Sequence, residues 1–531
     1  MIRSTFFGFE ASKSAIFANQ KALDIVGNNL ANAKTEGYTR QRLETTATSY
    51  SASINRVAAN MTGSAGAGIT TLGVSQVRDQ FIDKNYRGEL STSSYYGKAK
   101  DILTEIRDAI PDTNITSTAG FVGGLENIYT ALNGYIQHPT YESEANIVKS
   151  SFAGMVQVLH DASNALDQVE ARETADLNTT VNRVNEILLN IQINNRAIAT
   201  EKNSLSTTDS AYFSPNELMD KQNLLLDELA QYTDIGVIQN PDKTFTVSLI
   251  DSSGHSVEVV NGKDSGSDPA ILSMTSATDA ATGKKTITFS LTDASGTSDI
   301  AFKSGAMKAY ADVLTGDGSS GTVQGIPYYR SMLDSFAQQL VAVANGTIPE
   351  ADANGEVQMD GDGNPVYKGL LGAKDPDTGL VDTSGTAKVT AANIAISAEW
   401  AADSSYFIFN KNENVEDYAQ QLSTKLSGSE KTTFTFGGNN EKFEGNFENY
   451  VTTLVSKIGT DVNAATNSYT ATKAVADSFL TQRESNSGVQ RDEETANMLM
   501  YQKAYQASAR MMTVMDNLLD MLINDLAARV S

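Results

Sequence analysis

The chain has 531 residues, with 40 basic side chains against 64 acidic ones and a formal net charge of −24. That length allows three or four domains and a sizeable core, and the acidic balance argues against nucleic acid or an anionic membrane surface as a partner. The absence of cysteine excludes disulfides, thiolate metal sites and cysteine nucleophiles. Neither a cleaved signal peptide nor a membrane-spanning run is expected, and the protein reads as soluble.

The first element expected is a helix. Phe9, Ile16, Leu23 and Leu30 recur every seven residues, with Ser12, Asn19 and Val26 three positions after the first three. Ala15 and Ala22 lie beside this stripe and allow a close neighbour. The pattern is the narrow seam of a coiled coil, not the broad face of a core helix. Asn28, Asn29 and Asn32 crowd the helix end, Gly37 supplies a turn, and "YTRQRLETT" reads as extended.

Helical segments follow over 93–110 and 121–136, then a long helix from Phe152 to about Lys202. In it Leu177, Val181, Val184, Leu188, Ile191, Asn195 and Ile198 alternate four- and three-residue steps, a strong seam. Asn195 either fixes register or stands as a solvated break. A further helix opens with Ser214 as N-cap and Pro215 at its first position.

The period changes at Ile235. "KTFTVSLIDSSGHSVEVV" and "KKTITFSLTDASGTSDIAF" alternate with Asp/Ser/Gly turns, so 236–304 reads as a small β insertion. Helix returns with Met332, Phe336, Leu340 and Val343 on one face. Residues 346–414, rich in Gly, Asp, Ala and Thr, read as a loop-rich second insertion. A pre-terminal helix begins near Phe447. The last helix carries Met498, Tyr505, Met512, Leu519 and Leu526 at seven-residue spacing, with Tyr501, Ser508, Met515 and Leu522 between them. Asp492 is its expected N-cap. Each end of the chain thus carries one seamed helix without a local partner, and the two ends are expected to pair.

The fold class is therefore mainly α with a β-rich insertion: terminal helices forming a coiled coil, a body of long bundled helices, and an inserted small β domain. The expected domains are 1–50 with 492–531, then 51–235 with 305–345 and 415–491, then 236–304, then 346–414.

No catalytic constellation stands out. Asp360, Asp362 and Asn364 are spaced like a calcium loop, but Pro365 replaces the required glycine and Leu371 the bidentate glutamate, so a solvated turn is expected. His138, His160 and His255 show no ligand spacing. No enzyme activity, cofactor or metal is expected.

"NNLANAKTEGYTRQR" near the start, with "SGVQRDEETANMLMYQKAYQASARMM" and "LLDMLINDL" at the end, resembles the axial proteins of the bacterial flagellum, a superfamily of rod, hook and hook-associated proteins. The "GYTRQ" form, "NELMDKQNLLLDELAQYTDIGV" and the helical stretch to about 235 are similar to the hook-associated family that joins hook to filament. That resemblance implies a structural subunit, extracellular on the flagellum, exported unfolded by the flagellar type III apparatus without a cleaved signal. It implies a ring of about a dozen copies, with the hook protein and the next junction protein as neighbours and an export chaperone on the C-terminal helix. No nucleic acid or membrane partner is implied. The assembly interface expected on this reading comprises Phe9, Ile16, Leu23, Val26, Asn28, Asn29, Leu30, Asn32, Gly37, Tyr38, Met498, Tyr505, Met512, Met515, Leu519, Leu522 and Leu526. Alternatives are a hook or rod subunit, separated by helix content between 98 and 232, or an adhesin or hydrolase carried in an insertion.

Overall fold

The computed structural model describes residues 6–48, 68–110, 120–139, 141–204, 214–264, 266–279, 284–352, 354, 356–408, 415–428 and 431–530. Side chains at 6–7, 415–417 and 525–530 lie outside that description. Helix α1 (Phe6–Ala31) leads into an antiparallel hairpin, β1 (Gln41–Ala47) with β2 (Ile69–Gln76). Four helices follow: α2 (Gln80–Ala109), α3 (Gly120–Gln137), α4 (Glu142–Asn203) and α5 (Asn216–Tyr232). Strands β3 (Ile235–Gln239), β4 (Phe245–Ile250) and β5 (Ser256–Val260) form one sheet, and β6 (Ile271–Thr278), β7 (Lys285–Asp293) and β8 (Gly296–Ile300) another. After α6 (Ala306–Thr315) and α7 (Ile326–Asn345) come β9 (Leu371–Lys374), β10 (Val381–Asp382) and β11 (Ile394–Ile396), paired in the order β10-β9-β11. The short α8 (Ala398–Ala402), α9 (Val415–Ser427), the hairpin β12 (Thr432–Phe436) with β13 (Glu441–Gly445), and the long helices α10 (Phe447–Ser487) and α11 (Arg491–Val530) complete the chain.

The spine is α4, 62 residues long, about 93 Å at ~1.5 Å per residue. Its seam is buried throughout: Leu177, Val184, Leu188, Ile191 and Ile198 are fully enclosed and Val181 nearly so. The helix begins ten residues before the apolar stripe at Phe152 suggests, because Glu142 and Glu144 suit its first turn. Helix α3 lies antiparallel to it, and glycines set the approach. A Cβ at Gly124 would lie 2.7 Å from the sulfur of Met155, and one at Gly134 3.1 Å from Glu144. Helices α2 and α10 pair likewise, with Gly97 against the ring of Tyr469 and Arg483 4.2 Å over the ring of Tyr86.

The 236–304 stretch forms two separate sheets, and both reach the helical core. Val247, Leu249 and Val260, with Phe289 and Leu291, belong to the same buried cluster as the α4 seam. Asparagines on helices fix the strands. Asn195 donates from Nδ2 to the carbonyl of Phe245 (2.8 Å) and accepts that residue's N–H at Oδ1 (2.9 Å). Asn185 holds Leu272 by the same two bonds, each 2.8 Å, and Asn345 holds Leu371 at 2.7 and 3.0 Å. Of the two readings open for Asn195, the solvated break is therefore corrected: the side chain is fully buried and imitates a strand neighbour.

The second insertion is anchored by Trp400, stacked on Phe407 at 5.7 Å and edge-on to Phe152 of α4. The β12–β13 hairpin, which the sequence reading passes over, stacks Phe434 on Tyr450 at 4.0 Å. Helix starts differ slightly from expectation. Ser214 donates to the Asn216 side chain (2.6 Å) and α5 begins at Asn216, so Ser214 is not its cap. Helix α11 begins at Arg491, one residue before Asp492. The Asp360 carboxylate accepts the N–H groups of Asp362 and Asn364 at 2.9 and 2.8 Å, closing a tight turn.

Candidate assembly interface at the terminal helices

Helices α1 and α11 run antiparallel. A Cβ on Gly8 would meet Met515 at 2.7 Å, and Asn29 bonds to Glu494. The spacing from 8 to 29 equals that from 494 to 515, an overlap of about 31 Å. The contact line of α1 is made of small residues: Ser12, Ala18, Ala22, Val26 and Asn29 are buried. Phe9, Ile16, Leu23 and Leu30 are only half-buried, so the large seven-residue repeat stands beside the contact line. Small side chains let the backbones approach, which leaves the large ones at the edge. On α11, Met498, Tyr501, Ser508, Met512, Met515 and Leu519 are half-buried. Tyr505 and Leu522 are exposed, at 37% and 51%, and Ala504 turns inward in place of Tyr505. Leu526 stands on α11 with its side chain outside the described residues.

A polar joint ties this pair to the body. Asn29 is saturated: Nδ2 donates to the Gln41 carbonyl (3.0 Å) and to Oε2 of Glu494 (3.1 Å), while Oδ1 accepts Gln41 N–H (3.0 Å) and Tyr38 O–H (2.8 Å). This is the two-point hold at the start of a strand already seen at β4, β6 and β9. Val26 and Asn29, expected on the assembly interface, are buried within the chain here. The buried Glu494 also accepts from Nε of Arg40 (2.8 Å), and Arg40 reaches Glu493 at 3.1 Å. The Arg40 N–H donates to Ser487 O, and its carbonyl accepts from Val77 N–H, both at 2.9 Å. Burial, then the Asp220 and Glu494 carboxylates, push the Tyr38 hydroxyl up to about 12, so it stays a donor at neutral pH. At the exposed end of the helix, Asn32 donates to the Asn28 carbonyl at 3.1 Å, satisfying a terminal acceptor, and Asn28 donates to the Tyr38 hydroxyl at 3.3 Å.

Helix α5 brackets the joint from the body side. Gly37 has φ +77°, and a Cβ there would lie 2.6 Å from Leu224, so both backbone and space require glycine. Asp220 accepts from Thr39 N–H (3.3 Å) and Gln76 Nε2 (2.7 Å), and burial raises its carboxyl above the usual range. Asp227 bonds Arg87 at 2.7 Å and Arg483 at 2.6 Å. Burial alone would raise the Asp227 carboxyl, but the two guanidiniums hold it low. Three distant stretches, "GYTRQ", "NELMDKQNLLLDEL" and "VQRDEE", therefore meet at one place. Arg40, Asp220, Asp227 and Glu494 escaped the sequence reading because charged residues are common here and only the fold pairs them. Among the described residues no three metal-ligating side chains converge, and no helix is long and apolar enough to cross a membrane.

The comparisons with known proteins follow this geometry. The two helical ends match models of flagellar axial proteins: residues 9–39 the "Flagella basal body rod protein" and 481–526 the "Flagellar basal body rod FlgEFG protein C-terminal". Residues 112–360 match the "Flagellar hook-associated protein FlgK helical domain". Flagellar hook-associated protein 1 of Bacillus subtilis is 27% identical over 98% of each chain, and that of Salmonella typhimurium 22% identical over 96% of this chain and 98% of the other. A solved structure of the flagellar hook junction protein FlgK from Burkholderia pseudomallei superposes with TM-score 0.42 at 16% identity, covering 55% of this chain and 46% of that one. The ends place the chain in the class of flagellar axial proteins. Within that class, the match at 112–360 and the relatives matched over nearly the whole chain are of the flagellar hook-associated protein family.

Proposed function

We propose that this chain is a structural subunit of the bacterial flagellum that builds the junction between hook and filament by self-assembly through its terminal helices. The observation that carries this reading is the apolar face α11 leaves uncovered. Leu499, Met500, Met511, Val514, Leu518, Met521 and Ile523 are each 44–60% exposed, a patch that signals an interaction surface. Three of these, Met500, Met511 and Met521, are methionines, which suit contacts that must adapt. Neighbouring copies are the occupant, and α1 with α11 forms the coiled-coil terminal unit, 1–50 with 492–531, through which they pack.

Phe9, Ile16, Leu23, Leu30, Met498, Tyr505, Met512, Met515, Leu519, Leu522 and Leu526 are the interface residues on this reading. Asn28, Asn32, Gly37 and Tyr38 hold the joint at its base. The body, 51–235 with 305–345 and 415–491, forms the outer wall, carrying 236–304 and 346–414 as surface insertions. The ring holds about a dozen copies between hook protein and next junction protein, outside the cell. The subunit is exported unfolded by the flagellar type III apparatus, with a chaperone on the C-terminal helix. Its role is structural and not catalytic, in line with the names of its relatives. Helices α2 to α5, which take up most of the stretch from 80 to 232, favour the junction over a hook or rod subunit.

Leu23→Asp or Leu519→Asp introduces a charge that costs several kcal/mol if buried unpaired. Cells with either variant are expected to make hooks and few filaments, while the purified variant keeps the body's melting transition. Normal filament number and swimming with both substitutions would overturn the reading.

A further inference from the structure

Helix α11 carries a second seam beside the one that meets α1. Met500, Ala507, Met511, Val514, Leu518 and Met521 are all exposed and follow the seven-, four- and three-residue steps of a heptad. At about 100° per residue, this seam lies about 110° round the helix from the line of Tyr501, Ser508, Met512 and Met515 that faces α1. On α1 the stripe of Phe9, Ile16, Leu23 and Leu30 lies about 90° from the line of Ser12, Ala18, Ala22 and Val26 that faces α11, in the opposite rotational sense. Because the helices are antiparallel, opposite senses put the two stripes on opposite sides of the pair. The spacing from 9 to 30 equals that from 500 to 521, a run of about 31 Å, and neither stripe contains a charged side chain.

The β1–β2 hairpin runs along α1 on the side away from its stripe. The Ile69 N–H donates to Oγ of Ser14 at 3.2 Å, and Nζ of Lys21 donates to Oγ1 of Thr71 at 3.5 Å. The hairpin therefore stands on the same side of the pair as the second seam of α11, and the two are the walls of a groove. Near the joint its floor is a hollow of about 190 Å³ lined by Ile25, Val26, Leu43, Asn497 and Tyr501 among others.

We propose that the Phe9–Ile16–Leu23–Leu30 stripe of one copy seats in this groove of the next, against its second α11 seam, so that copies join head to tail. The proposal rests on the assembly reading above and adds which face meets which. A groove on one side of the terminal pair and a ridge on the other are the two different surfaces that a head-to-tail ring requires. Ridge and groove seam are equally long, apolar and heptad-spaced, so their side chains interdigitate along the whole run. Phe17, 55% exposed, lies about 110° beyond the stripe and turns toward the hairpin wall of the receiving copy. A two-fold pairing of two α11 seams would leave the α1 stripe and Phe17 uncovered.

The chain has no cysteine, so disulfide trapping in junctions isolated on hooks reads the pairing directly. Full overlap of the stripes sets Ile16 of one copy against Val514 of the next. Within one chain, position 16 lies opposite 507, about 10 Å along α11 from 514 and on the other side of the pair, beyond disulfide reach. The Ile16→Cys/Val514→Cys variant, or Ile16→Cys with Met511→Cys or Leu518→Cys one turn to either side, should give on mild oxidation a ladder of linked copies beyond the dimer. Each single substitution should give none. Dimers from Val514→Cys alone, or no ladder from any of the three pairs in junctions that carry filaments, would overturn the pairing and leave the assembly reading standing. Should cysteine at these places lower assembly, a photoreactive residue at position 17 reads the same groove. Its links should run to 41–47 or 69–76 of another copy, and links to any other part would overturn the seating. Absence of the chain from hooks that carry filaments would overturn both readings.

Discussion

The helical body and the terminal pair use similar heptad patterns to opposite ends. Along α4 the seam is closed: Leu177, Val184, Leu188 and Ile191 are fully enclosed and lie in one buried cluster that runs from α2 through the sheets to α10. Neither α1 nor α11 contributes to that cluster, and Glu494 is the one buried side chain among those described on α11. The difference is in partners. Helix α4 meets helices and sheets around its circumference, whereas α11, among the described residues, packs along α1 on a line of alanine, serine and glycine and touches Arg40 at its base. A helix so poorly covered gains little from packing, and ordering its backbone costs roughly 1–2 kcal/mol per residue. Similar periodicity therefore marks a closed core in one place and an exposed apolar surface in the other.

The sharpest way to break this comparison is a matched pair of truncations. Leu188→Ala should destabilise the isolated chain by about 2–5 kcal/mol through lost burial and a cavity, read as a fall in the urea midpoint. Leu519→Ala, at a half-buried position, should move that midpoint by less than about 0.5 kcal/mol. Equal losses would mean that the terminal pair is part of the same cooperative unit.

The stretch 346–414 holds a buried titratable cation. Lys368 is buried, with Nζ donating to the carbonyls of Tyr406 and Ile408 at 2.7 and 2.9 Å, and burial lowers its pKa to about 8. An unfolded lysine holds its proton to about 10.4. Between those values the unfolded chain binds more protons, so stability rises with pH. The stability of the parent chain minus that of Lys368→Met should therefore grow by roughly 2–3 kcal/mol from pH 7.5 to 10. A flat difference would mean that the ammonium is not desolvated.

Smaller effects sharpen the account of the joint. Asn29→Ala leaves the Glu494 carboxylate and the Gln41 backbone short of partners, at about 1–3 kcal/mol. Asn32→Ala at the surface should cost under about 0.5 kcal/mol. Protection of the joint amides separates the two, and similar losses would contradict the burial. Gly37→Ala forces an L side chain into positive φ and against Leu224, at about 1–2 kcal/mol. Its cost should shrink in a Leu224→Ala background, as residues in contact couple, and an unchanged cost would assign the effect to backbone strain alone.

The seam of α4 was fully legible in the sequence, because four- and three-residue steps of large aliphatics leave few other solutions. The terminal helices were legible as elements, but not in which face they turn. Phe9, Ile16, Leu23 and Leu30 dominate the pattern by size, whereas Gly8, Ala18 and Ala22 make the contact, since close approach selects small residues. The β12–β13 hairpin had a signal, alternating Thr432–Phe436 before Gly437-Gly438-Asn439-Asn440, that the long helix after it obscured. Of the asparagine holds, Asn195 stood out by its place in the seam, whereas Asn185 and Asn345 had no signal. An asparagine facing a strand and one facing solvent look alike until the strand is placed. The division of 236–304 into two sheets follows from core contacts that alternation alone does not encode.

The most direct test of the unfinished terminal pair is amide hydrogen exchange on the isolated chain. Amides near Val184 and Leu188 should be strongly protected, with opening free energies near that of global unfolding, while those near Leu23 and Leu519 exchange within seconds. After assembly into junctions, the amides near Leu23 and Leu519 should become protected as well. Strong protection at all four positions in the isolated chain would show that α1 and α11 are a completed unit before assembly, and would contradict the account.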